Sequence, residues 1–96
     1  MRITNQEIVS TIEMDIANNV YHYGNEADCC TRTLDQLAEG IWRDLASWKQ
    51  DGYGCHWKSD ENRFDGKEKT IARIKPLLTK RLKELTKLGY NFKALK

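Results

Sequence analysis

Proline is nearly missing from this 96-residue chain, with Pro76 as its only instance, and no apolar run approaches membrane length. The longest uncharged stretch, Ile16 to Asn25, is ten residues, about half of what a spanning helix needs. The opening Met-Arg-Ile-Thr-Asn-Gln-Glu lacks an apolar core of the secretory kind, so no export signal is expected. Cysteine is equally sparse: Cys29, Cys30 and Cys55 are odd in number and two are adjacent, which does not suit a disulfide framework. A reducing compartment follows, and a cytoplasmic protein without a membrane partner is the expectation.

The chemical signatures of most enzyme classes are absent too. There is no G-x-S-x-G, no phosphate loop, no H-E-x-x-H and no glycine-rich dinucleotide turn. His22, Cys29, Cys30, Cys55 and His56 lack the C-x2-4-C or H-x3-5-H pairs that close a tetrahedral site, so no metal is expected. No cofactor is expected either. A helix dipole acting on Cys29 or Cys30 behind an N-cap at Asp28 would lower a thiol pKa, and His22 with Asp15 would supply a base. Convergent geometry is what makes such groups catalytic, and the expectation is a protein with no catalytic residues.

What is present reads as helix. Hydrophobic residues make up 40% and charged residues 31%, the balance of one globular domain over residues 1–96. Thr4 with Glu7 forms a capping box, after which Ile8, Ile12, Ile16 and Val20 recur every four residues up to Gly24. A second apolar stripe, Leu34, Leu37, Ile41, Leu45 and Trp48, ends at Gly52 and Gly54. A third, Ile71, Ile74, Leu78, Leu82 and Leu85, runs from an Asp65 and Glu68 start to Gly89, with Pro76 expected to kink or restart it near Lys75. The fold class is thus mainly α, with three principal helices over about 4–23, 29–51 and 66–88. Residues 53–64 read equally as a short β hairpin or an irregular loop, and Tyr90 to Lys96 as a short strand or a loose tail.

Charge is unevenly placed. Residues 1–65 carry 6 Lys or Arg against 12 Asp or Glu, a net of −6, whereas residues 66–96 carry 10 against 2, a net of +8. On the third helix Arg73, Lys80 and Lys87 repeat every seven residues, with Lys83 beside them, and define a line opposite the leucines. That line is either a solvated face, a face drawn to the acids of the first two helices, or a contact for nucleic-acid phosphates.

Two further surfaces stand out. With the isoleucines of the first helix turned inward, a rotation of 100° per residue puts Met14, Ala17 and Tyr21 together on its far side. Such a stripe serves internal packing, a homodimer contact or a protein partner. Trp42 sits at the edge of the second stripe, where part of its ring is expected to remain exposed. Tyr53, His56, Trp57 and Phe64 crowd the connector, with a charged rim of the kind that protein partners meet.

Two functions from different classes follow. The first is a non-enzymatic protein-binding module whose contact residues are Met14, Tyr21, Trp42, Tyr53 and Trp57. In size and in its lack of motifs the chain resembles the small accessory proteins of phages and mobile elements, anti-CRISPR inhibitors among them. That resemblance implies an inhibitor that occupies a surface of a larger host complex. The second is a nucleic-acid-binding regulator using Arg73, Lys80, Lys83 and Lys87. The connector between helices two and three is too long for a helix-turn-helix, which leaves contact with the phosphate backbone.

Overall fold

The computed structural model describes residues 3–48 and 66–96. Its first element is a continuous rod in three parts: α1 (Asn5–Ile12), a π-helical turn (Glu13–Ala17) and α2 (Asn18–Tyr23). Thr4 caps the rod as expected, its hydroxyl accepting from the Glu7 amide at 3.1 Å. Ile8, Ile12, Ile16 and Val20 are all buried. The π turn adds a residue to one winding, so the phase of the helix shifts there. Ala17 is consequently turned into the core at 0% exposure, while Met14 and Tyr21 stay outside at 42% and 53%. The expected outward trio is a pair.

Gly24, at φ 64°, ends α2 in a conformation that side chains disfavour, and two 3-10 turns follow, Gly24–Glu26 and Asp28–Thr31. The second tucks Cys29 and Cys30 into the core. The next helix, α3 (Leu34–Trp48), therefore begins later than residue 29. Thr33 sets its start through a reciprocal capping box: the Gln36 amide donates to the Thr33 hydroxyl at 3.2 Å, and the Thr33 amide donates to the Gln36 side-chain oxygen at 2.9 Å.

Trp42 corrects a sequence expectation, because its ring is wholly enclosed at 0% exposure. The reason is that α3 packs against both α1 and the last helix, so two adjacent files are covered instead of one. One file is Leu37, Ile41 and Leu45; the other is Ala38, Trp42 and Ala46, where two small residues one turn away on either side leave room for the indole.

The last helix, α4 (Lys67–Lys87), follows Gly66, whose φ is 97°. The Thr70 hydroxyl donates to the Gly66 carbonyl at 2.8 Å. The helix runs through Pro76 without restarting. Pro76 and Ala72, the residue whose carbonyl loses a partner, are both exposed, so water can replace the missing bond. Ile74, Leu78, Leu82 and Leu85 are fully buried and seat the helix along most of its length. Gly89 closes it in a Schellman motif, with Tyr90 N–H donating to Leu85 O at 3.3 Å and Gly89 N–H to Thr86 O at 3.0 Å.

The C-terminal tail is neither strand nor loose. Phe92 is buried, Lys93–Leu95 forms a 3-10 turn, and the Asn91 amide donates to the Asn25 side-chain oxygen at 2.8 Å. Among the described residues there is no strand. The expected β element at 53–64 lies outside the described residues, as does the end expected for the second helix. No described helix is long and apolar enough to cross a membrane.

Truncating the enclosed indole removes a large volume that the flanking alanines cannot refill. Trp42→Ala is expected to cost about 3–5 kcal/mol in urea unfolding. Met14→Ala is expected to stay within about 0.5 kcal/mol. A Trp42→Ala cost no larger than that of Met14→Ala would contradict the enclosed position.

Candidate functional site

The seam between the rod and α4 is organised by one guanidinium. Glu13 opens the π turn and faces Arg81 of α4, which donates from Nε to Glu13 Oε1 and from Nη2 to Glu13 Oε2 at 3.3 Å. Arg81 Nη2 also donates to the Tyr21 hydroxyl at 3.0 Å, and Nη1 lies 3.5 Å from Glu84. The hydrogen bond to Glu13 raises the guanidinium pKa further, so Arg81 carries its charge at every physiological pH. Tyr21 is held from a second side by Tyr90, the ring centroids being 6.2 Å apart and tilted by 56°.

Exposed apolar side chains lie on the two elements that this charged centre joins. Met14 follows Glu13 directly and Tyr21 lies seven residues further along the rod. Leu88, seven residues after Arg81, is 65% exposed at the end of α4. Sequence reasoning missed Leu88, because three residues after Leu85 it reads as the last member of the buried stripe. Its place at the C-cap explains the difference: the Schellman turn carries the chain away and Tyr90 and Phe92 return to the body in its place.

Of the five residues expected to meet a protein partner, the structure brings Met14 and Tyr21 onto one exposed stretch of the rod and places Trp42 in the core. Tyr53 and Trp57 lie outside the described residues. The basic line is divided in a similar way. Arg73 is engaged by the fold, donating to the Ile3 carbonyl at 2.7 Å and to Asn5 Oδ1 at 2.6 Å, so it ties the N-terminal segment to α4. Lys80, Lys83 and Lys87 are exposed and have no ion-pair partner among the described residues. Three carboxylates of the rod and α3 hold other cations of α4: Lys67 reaches Glu39 at 2.7 Å, Lys75 reaches Asp35 at 2.6 Å, and Arg81 takes Glu13.

On the opposite side, the rod, the two 3-10 turns and α3 border an open groove of about 750 Å³. Asp15 and Asp44 lie on its wall, with Tyr23, Arg32 and Arg43 around them and Gly40 leaving space above α3. Burial, together with the hydrogen bond and negative charge of Asp44, pushes the Asp15 carboxyl up from 3.8 to about 8.

Cys29 borders this region, and it and Cys30 reverse the expected effect. Burial, and then Cys30 beside it, pushes the Cys29 thiol up to about 11, and burial raises Cys30 as well. Residues 28–31 form a separate 3-10 turn and not the first turn of α3, so no long helix dipole acts on the sulfurs. His22 points outward at the end of α2, edge-on to Tyr23 with centroids 4.5 Å apart. Cys55 and His56 lie outside the described residues, and among those described no group of three or more potential metal ligands converges.

Compared with known protein families, curated proteins and solved structures, the chain matches none of them.

The buried thiols lead to a direct test. With Cys29 at about 11, roughly one molecule in a thousand carries its thiolate at pH 8. In a Cys55→Ser background, Cys29 in the folded protein is expected to be alkylated about 100-fold more slowly than in the urea-unfolded chain. Equal rates by peptide mapping would contradict the burial.

Proposed function

We propose that this chain is a non-catalytic protein-binding module that meets its partner through Met14, Tyr21 and Leu88. The observation carrying the reading is that these three large apolar side chains remain exposed at 42%, 53% and 65% on the rod and at the end of α4, the two elements that the Arg81 and Glu13 ion pair joins. The core does not need them, and apolar anchors beside a held arginine are the composition that binding hot spots favour. Tyr21 is bonded through its hydroxyl to Arg81 and supported by Tyr90, so less side-chain entropy is lost on docking. Inhibition by occupying a surface of a larger complex, as small accessory proteins of phages and mobile elements do, fits a module of this size without catalytic groups. A second copy of the chain is a further occupant of the same surface, and the cytoplasm is the proposed compartment, consistent with the free thiols of Cys29 and Cys30.

The test is differential capture with Met14→Asp/Leu88→Asp, which changes exposed positions and leaves Tyr21 in place. The variant is expected to melt within a few degrees of the parent while losing the proteins that the parent retains, with sedimentation velocity reporting any self-association. Identical capture and identical sedimentation by both forms would end the reading.

A specific observation supports a second reading, in which Lys80, Lys83 and Lys87 bind nucleic acid. Together with Lys69 near its start, they are the cations of α4 that no acid or backbone carbonyl of the N-terminal segment, the rod or α3 engages among the described residues. Three phosphate contacts on a duplex give a slope of about −2.7 in log affinity against log salt. The Lys80→Glu/Lys83→Glu/Lys87→Glu variant is expected to lose that binding in fluorescence anisotropy, and unchanged binding would remove this reading.

A further inference from the structure

We propose that the groove between the rod and α3 receives the basic row of α4, Lys80, Lys83 and Lys87, from a second copy of the chain, so that copies join head to tail. The contact goes beyond the Met14, Tyr21 and Leu88 surface and uses other residues. Both of its halves lie on the molecule.

The groove is the acidic half. It is open, about 750 Å³ in volume, and four carboxyl groups line it: Asp15 from the rod, Glu26 and Asp28 from the 3-10 turns and Asp44 from α3. Arg32 and Arg43 are the cations on its wall, and Arg43 Nε lies 3.7 Å from Glu39. Glu26 and Asp28 are exposed and have no ion-pair partner among the described residues. Gly40 keeps the groove open. A glycine inside a helix weakens it relative to alanine, yet a Cβ at Gly40 would meet nothing within 4 Å, so packing inside the domain does not call for one. The bare backbone leaves α3 accessible to a side chain arriving from outside. Leu37 and Ile41 give aliphatic lysine stems an apolar surface, and Tyr23, which is exposed, offers an aromatic ring to an ammonium.

The row is the basic half. Lys80 stands two residues from buried Leu78 and Leu82, and Lys83 and Lys87 each stand two from buried Leu85, a rotation of about 200° that turns all three away from the body. The rod and α3 pack on the buried side of α4, so the row of a copy points away from its own groove. Within one molecule, α4 already meets acids of the rod and α3 through Lys67, Lys75 and Arg81. A second copy lets the remaining lysines repeat that chemistry with the acids of the groove. An ammonium brought beside Asp15 favours its charged form against the burial that raises it, so this carboxyl adds to the attraction as the contact forms. Because groove and row are different surfaces, the contact is heterologous and each added copy presents a new groove or a new row.

Sedimentation velocity of the purified chain, freed of nucleic acid, tests this. At low salt the parent is expected to grow in average mass with concentration, and to return to monomer at about 1 M salt, where the Debye length is about 3 Å. Gly40→Gln fills the groove where there is room for a side chain, and is expected to melt no lower than the parent and to stay monomeric. Lys80→Glu/Lys83→Glu/Lys87→Glu is expected to stay monomeric as well, with Lys83→Glu in its place if the triple variant does not fold. Mixed in equal amounts, the groove variant and the row variant are expected to pair one to one and no further, since the first keeps an intact row and the second an open groove. Met14→Asp is expected to associate as the parent does. A parent that stays monomeric at low salt, association that survives in both variants, or a mixture that fails to pair would overturn the contact. Loss of association in Met14→Asp would overturn it too, by moving the contact to the other surface.

Discussion

The polar links between α4 and the rest of the described body are positioned by the burial of one aliphatic file, Ile74, Leu78, Leu82 and Leu85, along α4. Enclosing these four side chains contributes on the order of 6–12 kcal/mol before conformational entropy is subtracted. A partly exposed ion pair contributes about 0–1 kcal/mol. The file therefore decides where α4 lies, and the links from Lys67, Lys75 and Arg81 to acids of the other helices follow from that placement. The same file carries the helix past Pro76, whose lost hydrogen bond faces water.

Once α4 is seated, the strong charge asymmetry of the sequence is partly neutralised within the molecule, and the remainder is what faces outward. Glu13 and Tyr21 meet Arg81 across the seam beside the π turn, while Met14 and Leu88 stay exposed on the elements it joins. Lys80, Lys83 and Lys87 remain as an open basic row on the same helix. On the groove side, Asp15 and Asp44 line one wall, and burial together with Asp44 pushes the Asp15 carboxyl up.

Much of the fold was legible because it is local. Thr4, Thr33 and Gly89 declare helix ends through chemistry that spans only a few residues. The buried isoleucines, spaced by four, identify the rod, but that spacing also hid the π turn, since a slightly wider winding accommodates it as readily as an α-helix does. Ala17 and Trp42 were misplaced for a common reason: which flank of a stripe is covered depends on how many neighbours a helix has, and that is a tertiary property. An N-cap at Asp28 reads as the start of the second helix, but residues 28–31 form a 3-10 turn and the capping box at Thr33 opens α3. Of the candidate site, Met14 and Tyr21 were readable as exposed, whereas the Arg81 bridge and the groove wall of Asp15 and Asp44 bring together residues too distant in sequence for any pattern to reveal.

If the aliphatic file of α4 is the constraint on which the rest depends, then α4 cannot leave the body without the whole domain unfolding. Native-state amide hydrogen exchange under increasing denaturant measures this directly. The amides from Ile74 to Leu85 are expected to exchange only through global unfolding, with the same free energy as the slowest amides of α1 and α3. Exchange of α4 at a clearly lower free energy, with α1 and α3 still protected, would show that the rod and α3 stand without it and would contradict the account.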